Sequence, residues 1–268
     1  MTPTASTVFD TDTASTPAGE HRYALELSDR WATTVGGPLN GGYLLATALR
    51  ALQREVPHPD LLVASAHYLR PGTSGPAAIT TETARVGRRT ATGQATLTRQ
   101  NREILRVLAT FTDLTQHRGA THTSNTPPEL PAPEQCLDPF AEIGSPGTTI
   151  AQQVQYRTPR IPGFFHGTPG GTTNAEFWMR FSDGRDPDPL ALALLVDAAA
   201  PVVFDLGAVG SSTIELTVNI RHRPAPGWLA CRVRTDYLTN GLHDEDFEIW
   251  DSTGILVAQS RQLALIPE

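Results

Sequence analysis

An aspartate within a run of apolar residues is the strongest chemical signal in this sequence. Asp197 stands in LALALLVDAAAPVV, and on a helix its own face would carry Leu190, Ala193, Leu194, Ala200, Pro201 and Phe204. A carboxylate in such surroundings is costly unless it is hydrogen-bonded, and burial raises its pKa. Pro201 cannot donate the helical hydrogen bond to the Asp197 carbonyl, which predicts a kink. Two broken rules at one place indicate function. The alternative is a helix that ends early and exposes Asp197 in its last turn.

Two further polar residues lie on predicted strands in the second half of the chain. The residues that share a face with Gln262 are small or apolar, so its amide needs a partner there. A solvated glutamine on an edge strand is the alternative. Thr213 is a common strand residue and carries no signal by itself.

The first predicted long helix opens with Asn40-Gly41-Gly42. Free backbone N–H groups at a helix start suit an anion or a developing oxyanion, so Gly41 and Gly42 are candidate oxyanion donors; an ordinary turn and cap is the alternative. His67, on a following strand, is either a substrate-binding residue or a hydrogen-bonded core histidine. The HDED run at 243–246 fits no standard metal spacing, predicts a solvated hairpin, and adds no metal site.

These residues belong to two units with the same order of elements. Each unit has a strand, a helix and four strands rich in Val, Ile and Thr. Six prolines between Pro127 and Pro146 separate the units. We therefore predict a disordered polar tail (1–20), an N-terminal unit (21–115), a Pro-rich linker (116–164) and a C-terminal unit (165–268). A long apolar helix wrapped by an antiparallel sheet, twice in one chain, is an α+β double hotdog.

Three segments, SAHYLRPG, NGGYLLA and GILVAQSRQLALIP, resemble the double-hotdog acyl-CoA thioesterases. The relatives are of the bacterial thioesterase II (TesB-like) type and its actinobacterial thioesterase-like branch. The resemblance implies a thioester hydrolase in which a helix Asp, a strand Thr or Ser and a last-strand Gln activate a water. Asp197, Thr213 and Gln262 match those positions. Ser212 is the alternative to Thr213, because the strand that leads to Arg223-Pro224 is one residue longer here.

The resemblance also implies the setting of the enzyme. We expect a cytoplasmic hydrolase of fatty acid metabolism, assembled as a homodimer or homotetramer. Its substrate is an acyl-CoA or an acyl-carrier thioester, and it has no cofactor, coenzyme A being part of the substrate. Arg88, Arg89 and Arg221 are candidate contacts for the CoA phosphates, since Arg binds phosphate bidentately.

Aligning the two units pairs Asp197 with Thr47 and Gln262 with Phe111, so we predict one working site per chain. Two other functions stay open at this point. A non-catalytic acyl-CoA or acyl-carrier binding protein is the first alternative. A hotdog dehydratase is the weaker alternative. The resemblance to such enzymes would require a His five residues after the helix Asp, and here Val202 stands at that position.

Length, charge and missing motifs exclude several classes. The chain has 268 residues, 39% of them apolar, and a net charge of −7, which is neither a disordered composition nor a basic nucleic-acid binder. No apolar run approaches the ~20 residues of a membrane span, and the N-terminus lacks the features of a secretory signal. Cys136 and Cys231 are expected to be reduced thiols. We find no G-x-S-x-G, Walker A or dinucleotide motif.

Overall fold

The computed structural model describes residues 6–143 and 149–267. The described helices are α1 (Val8–Asp12), α2 (Gly41–Gln53), α3 (Pro139–Ile143), α4 (Ile150–Gln153) and α5 (Pro189–Leu195). The strands of the first half are β1 (Thr16–Gly19), β2 (Arg22–Leu27), β3 (Asp60–Tyr68), β4 (Gly75–Val86), β5 (Thr90–Arg99) and β6 (Arg102–Thr112). Those of the second half are β7 (Val154–Arg157), β8 (Asn174–Phe181), β9 (Ser212–Ile220), β10 (Leu229–Arg234), β11 (Leu238–Thr239), β12 (Leu242–Trp250) and β13 (Leu256–Leu265).

The strands form one antiparallel sheet in the order β1-β2-β4-β5-β6-β3-β9-β13-β12-β10-β8-β7, with β11 paired to β12. The two halves meet where Val63–His67 of β3 pairs with Glu215–Asn219 of β9. Reading outward from this junction, β3-β6-β5-β4-β2 repeats as β9-β13-β12-β10-β8. The predicted repetition of strand order between the units is therefore present in the sheet.

Helices α2 and α5 pack against each other and against the inner face of this sheet. Alanine and leucine dominate α2, and most of its residues are buried. Alanine and leucine also favour helix formation. Asn40 caps the N-terminus of α2, because its side chain accepts a hydrogen bond from the Tyr43 N–H (3.0 Å). The inner face of the sheet is made of alternate strand residues, as Tyr23, Leu25 and Leu27 of β2 show.

Helix α5 is shorter than the long helix that the sequence predicts. Its N-terminus is stabilised, because the Asp188 side chain accepts a hydrogen bond from the Ala191 N–H (2.7 Å) and Pro189 occupies the first turn. It ends at Leu195, and a 3₁₀ turn at Val202–Leu206 follows. Pro201 precedes that turn, where it cannot continue an α-helix. The early helix end is thus observed, although Asp197 in the turn after it is not exposed to bulk solvent.

The N-terminal segment differs from the predicted disordered tail over residues 6–20. Helix α1 is capped by Thr7, and β1 pairs with β2. Phe9 is 1% exposed and packs against Phe181 and Trp31. One aromatic residue in a polar segment is enough to anchor it, because burying a Phe side chain is worth about 2–3 kcal/mol. Residues 1–5 lie outside the described part of the chain.

The predicted linker also differs from expectation in its second half. Residues 117–132 carry no helix or strand, as its prolines predict. Strand β7 instead pairs with β8, and the buried Ile150 donates its N–H to the Ala32 carbonyl (3.0 Å). Residues 150–157 of the predicted linker are therefore packed parts of the fold, in contact with both units. Among the described residues, none of the helices combines the length and apolarity needed to cross a membrane.

We predict that Phe9→Ala destabilises the protein by about 3 kcal/mol or more, because it leaves a cavity between α1, Phe181 and Trp31. Chemical denaturation monitored by fluorescence measures the change. The matched control is Val35→Ala, whose side chain is 67% exposed and should shift stability by less than about 0.5 kcal/mol. Equal stability of the two variants would show that α1 is not docked.

Candidate active site

A cavity of about 880 Å³ opens between the start of α2 and the turn after α5. Asp197, Thr213 and Gln262 all line it, together with Gly41 and Asn40 from the other unit. Most of the wall is apolar or aromatic and includes Leu39, Leu44 and Phe177. The predicted linker contributes Phe140, Ile150, Tyr156 and Phe164. The three residues matched to a water-activating set thus face one shared space.

The Asp197 carboxylate is held by the N-terminus of α2. Gly42 donates its backbone N–H to Asp197 Oδ2 (2.7 Å), and Asn40 Nδ2 donates to the same oxygen (3.1 Å) and to the Asp197 carbonyl (2.6 Å). Asn40 Oδ1 meanwhile caps α2, so its amide orientation is defined on both sides. The positive end of the α2 dipole faces the negative charge.

Burial and these hydrogen bonds act on the Asp197 pKa in opposite directions. Burial raises the pKa to about 6, while the Gly42 N–H, the Asn40 amide and the Gly41 N–H lower it. The carboxylate is therefore ionised at neutral pH and yet a stronger base than an ordinary aspartate. Such a pKa suits a group that takes a proton from water and returns it.

Glycine is required at the start of α2 because no room exists for a side chain. A Cβ on Gly42 would lie 2.4 Å from the Leu194 carbonyl oxygen and 3.0 Å from Asp197 Cβ. A Cβ on Gly41 would lie 2.9 Å from Asp197 Oδ2. The structure therefore corrects the predicted oxyanion role of Gly42, since its N–H is already donated to Asp197. Gly41 lines the cavity through its backbone.

Thr213 and Gln262 belong to one chain of hydrogen bonds. The Thr213 hydroxyl donates to Gln262 Oε1 (3.1 Å), and Gln262 Nε2 donates to Glu245 Oε1 (3.2 Å). Glu245 Oε2 accepts the Val202 N–H (2.9 Å), which lies on the segment that follows Asp197. Glu245 thus connects the strands that carry Thr213 and Gln262 to the turn that carries Asp197.

A β-bulge at Ile214 turns Thr213 toward the cavity. Gln262 lies opposite the buried Leu216, so strict alternation would place Thr213 on the outer face. The register shifts between the Glu215–Leu263 and Thr213–Ala264 pairs, and this extra residue brings Thr213 to the inner face. Ser212 also lines the cavity, opposite Leu265.

Glu245 is a residue of the cavity that the sequence analysis missed. His243 and Glu245 are 1% and 5% exposed, so the predicted solvated hairpin is wrong for both. The signal was the alternation along HDEDFEIW, in which His243, Glu245, Phe247 and Ile249 share one buried face. Burial raises the pKa of Glu245 to about 8; the charges of Asp197 and Asp244 also raise it, and the Val202 N–H lowers it.

His67 and the predicted arginines lie away from the cavity. His67 is exposed on the outer face of β3, because Ala64, Ala66 and Tyr68 take the inner positions. This corrects both roles considered for His67. Arg88 and Arg89 are exposed in the β4–β5 turn, and Arg221 pairs with Gln259 on the outside of the sheet. The cations among the lining residues are Arg70 and Arg160.

The described residues hold one group of acidic side chains close enough to share a metal ion. Carboxylate oxygens of Asp236, Asp244 and Asp246 lie within 4.8 Å of one another. Arg234 and Arg261 already form ion pairs with Asp246, so much of the local charge is neutralised. The cluster lies outside the residues that line the cavity.

Among the described residues of the other half, the matched positions carry no carboxylate and no amide. Matching the helix N-caps Asn40 and Asp188 pairs Asp197 with Leu49, where the sequence alignment had Thr47. The bulges in β3 and β9 pair Gln262 with Ala109 instead of Phe111. Neither register places a carboxylate there, and the start of α5 is covered by α1, since Arg185 bridges Asp10 and Asp188.

We predict that Glu245→Gln changes how stability depends on pH. The pKa of Glu245 is about 8 in the folded protein against 4.5 ordinarily, so the unfolded chain loses this proton first. Stability from this group is full below pH 4.5 and lost as pH rises toward 8. The wild type should therefore lose more than about 1 kcal/mol relative to the variant over that range. Melting temperatures measured at each pH test this, and parallel curves would contradict it.

Comparison with known proteins identifies the family. Residues 28–112 match the acyl-CoA thioesterase N-terminal domain, and residues 130–266 match the acyl-CoA thioesterase C-terminal domain. The second range assigns much of the predicted linker to the C-terminal unit, as the pairing of β7 with β8 does.

Solved structures with the same architecture cover almost all of the chain. A Thermobifida fusca protein provisionally named thioesterase II is 32% identical, with a TM-score of 0.88 and 99% of each chain covered. A hot dog fold protein of unknown function from Alicyclobacillus acidocaldarius is 23% identical, with a TM-score of 0.85 and 98% of each chain covered. An acyl-CoA thioesterase II, TesB2, from Mycobacterium marinum is 18% identical, with a TM-score of 0.72, covering 97% of this chain and 98% of its own. This protein is therefore a member of the acyl-CoA thioesterase family with the α+β double hotdog fold.

Proposed function

We propose that this protein is an acyl-CoA thioesterase that hydrolyses its substrate by direct attack of a water molecule. One observation carries the proposal. A partly buried carboxylate, Asp197, held by the α2 N-terminus, faces the same apolar cavity as the hydrogen-bonded pair Thr213 and Gln262. Keeping a carboxylate in apolar surroundings costs free energy of folding. Membership of the acyl-CoA thioesterase family supplies a catalytic role that accounts for it.

Asp197 acts as the general base in this proposal. Its Oδ2 accepts the Gly42 N–H and the Asn40 amide, so the carboxylate has a defined orientation toward the cavity. It takes a proton from the attacking water and later gives it to the departing thiolate. General-base catalysis of this kind contributes about 10²–10⁴-fold to the rate.

Thr213 and Gln262 position the water with Asp197. The Thr213 hydrogen is donated to Gln262 Oε1, which leaves the Thr213 oxygen as an acceptor for a hydrogen of the water. Gln262 Nε2 uses one hydrogen on Glu245 and keeps a second. The water attacks the carbonyl carbon directly, and no covalent intermediate is needed.

The rest of the cavity suits an acyl-CoA. Its aromatic and aliphatic wall accepts an acyl chain, each buried methylene of which contributes about 0.8 kcal/mol. Arg70 and Arg160, which replace the arginines predicted from sequence, are the candidate contacts for the CoA phosphates. The proposed reaction uses no metal or redox cofactor, and coenzyme A enters only with the substrate. Fatty acid metabolism, a cytoplasmic location and a homo-oligomer stay predictions of the family resemblance.

We predict that Asp197→Asn lowers kcat by about 10²–10⁴-fold, because the amide cannot accept the proton. In the wild type, kcat should rise with pH through about 6, as Asp197 becomes ionised, and the variant should lack this rise. Acyl-CoA substrates of several chain lengths, assayed with a thiol reagent, provide the measurement. Asp29→Asn, an exposed change outside the cavity, is the control.

Two results would contradict the proposal. Full kcat in Asp197→Asn would remove the assigned base. Thermal stabilisation of the wild type by acyl-CoA without release of free thiol would exclude hydrolysis and favour the acyl-CoA binding protein considered from the sequence.

A further inference from the structure

A buried hydroxyl at the edge of the cavity lacks a hydrogen-bond partner. Tyr68, the last residue of β3, lines the cavity, and its hydroxyl is buried without a donor or acceptor among the described residues. Unpartnered buried side-chain atoms also occur in Ser15, Arg50, Thr149 and Thr235, but of these five described residues only Tyr68 lines the cavity. An unpaired buried hydroxyl costs about 1–3 kcal/mol, so a bound ligand atom is its natural partner.

Tyr68 lies next to the proposed base. The point where a Gly41 Cβ would stand is 2.9 Å from Asp197 Oδ2, 3.0 Å from Tyr68 Cε1 and 3.1 Å from Tyr68 Cζ. The Asp197 carboxylate and the Tyr68 ring carbon that carries the hydroxyl therefore lie on either side of the position that a side chain at Gly41 would occupy. A hydroxyl in this place is within the reacting region that Asp197 defines.

Most of the other donors around Asp197 already have an acceptor in the protein, including the Gly41 N–H, which also acts on Asp197; the remaining hydrogen of Gln262 Nε2 is assigned to the water. The Gly42 N–H and the Asn40 amide donate to Asp197, and the Thr213 hydroxyl donates to Gln262. Attack of water on a thioester places negative charge on the carbonyl oxygen, and that oxygen needs a positioned donor. Burial, and to a smaller degree the charges of Asp197 and Glu215, raise the pKa of Tyr68 well above its usual value, so its hydroxyl keeps the proton.

We propose that Tyr68 is a catalytic residue whose hydroxyl donates a hydrogen bond to the carbonyl oxygen of the bound thioester. This inference rests on the proposed function. Water adds to the carbonyl carbon and gives a proton to Asp197, while the C=O π electrons move onto the oxygen held by Tyr68. As the C=O bond re-forms, the C–S bond breaks, and the thiolate takes the proton from Asp197. The products are one carboxylic acid and one thiol.

Tyr68→Phe should lower kcat by about 10²–10³-fold, as removal of one oxyanion donor does, and should raise KM by about tenfold or less, because the same hydroxyl also contacts the carbonyl of the bound substrate. The rise of kcat through pH 6 should stay in the residual activity, because Asp197 is intact. The melting temperature should not fall, since the change deletes an unpaired hydroxyl. Tyr23→Phe is the matched control, because that hydroxyl donates to Glu55 away from the cavity, and its kcat should equal that of the wild type.

A binding measurement tests the same contact without turnover. Two CoA analogues are compared by calorimetry, a ketone in which a methylene replaces the thioester sulfur and a thioether in which a methylene replaces the carbonyl. The wild type and Tyr23→Phe should bind the ketone about tenfold more tightly than the thioether, one hydrogen bond to a donor being worth about that factor. Tyr68→Phe should lose this preference while it keeps the thioether affinity.

The outcomes separate the two proposals. Unchanged kcat and unchanged ketone preference in Tyr68→Phe would overturn the role of Tyr68 and leave the thioesterase in place. A lower melting temperature with an equal loss of both affinities would make Tyr68 structural and overturn its role as well. A wild type without turnover, but with a ketone preference that depends on Tyr68, would overturn hydrolysis and support the carbonyl contact.

Discussion

The hydrogen bonds between Asp197 and the start of α2 are the constraint on which the rest of the site depends. They join the two halves of the chain, since the carboxylate comes from the second half and its donors, Gly42 and Asn40, come from the first. The contact requires the backbone of α2 to approach the end of α5 so closely that Gly42 has no room for a side chain. In return, the helix dipole and two donors keep a negative charge stable inside an apolar cavity. Neither half of the molecule contains this arrangement alone.

The cavity holds a second carboxyl group whose surroundings differ in a useful way. Asp197 has the N-terminus of the long helix α2 beside it and a pKa of about 6. Glu245 accepts from Gln262 and from Val202 at the start of a short 3₁₀ turn, and has a pKa of about 8. One fold thus separates two acidic groups into different protonation states near neutral pH. The ionised group is the one that faces the proposed reaction. The other connects Gln262 to the segment after Asp197, so it contributes to the geometry rather than to proton transfer.

The residues show what a single sequence does and does not reveal about such a site. Asp197 was identified from the sequence because a carboxylate is conspicuous in an apolar segment. The observed helix is shorter than the predicted one, but this did not affect that identification. Thr213 was harder, because its direction depends on a bulge at Ile214 that arises from pairing with β13. Glu245 was hidden because three charged neighbours masked the alternation of β12. His67 was misplaced because the residues beside it, Ala66 and Tyr68, are the ones that face inward. Local pattern therefore predicts which elements form, and strand register decides which side chains meet.

The covering of α5 by α1 has a consequence for how the two halves work together. Arg185 ties Asp10 to Asp188 at the start of α5, and Phe9 packs beside it, where the duplicated half would otherwise present its own helix opening. With that end closed, the described residues of the other unit hold no carboxylate at the position matched to Asp197, so the proposed function predicts one equivalent of ligand per polypeptide at saturation. The proposed function therefore places any cooperativity between separate chains rather than within one.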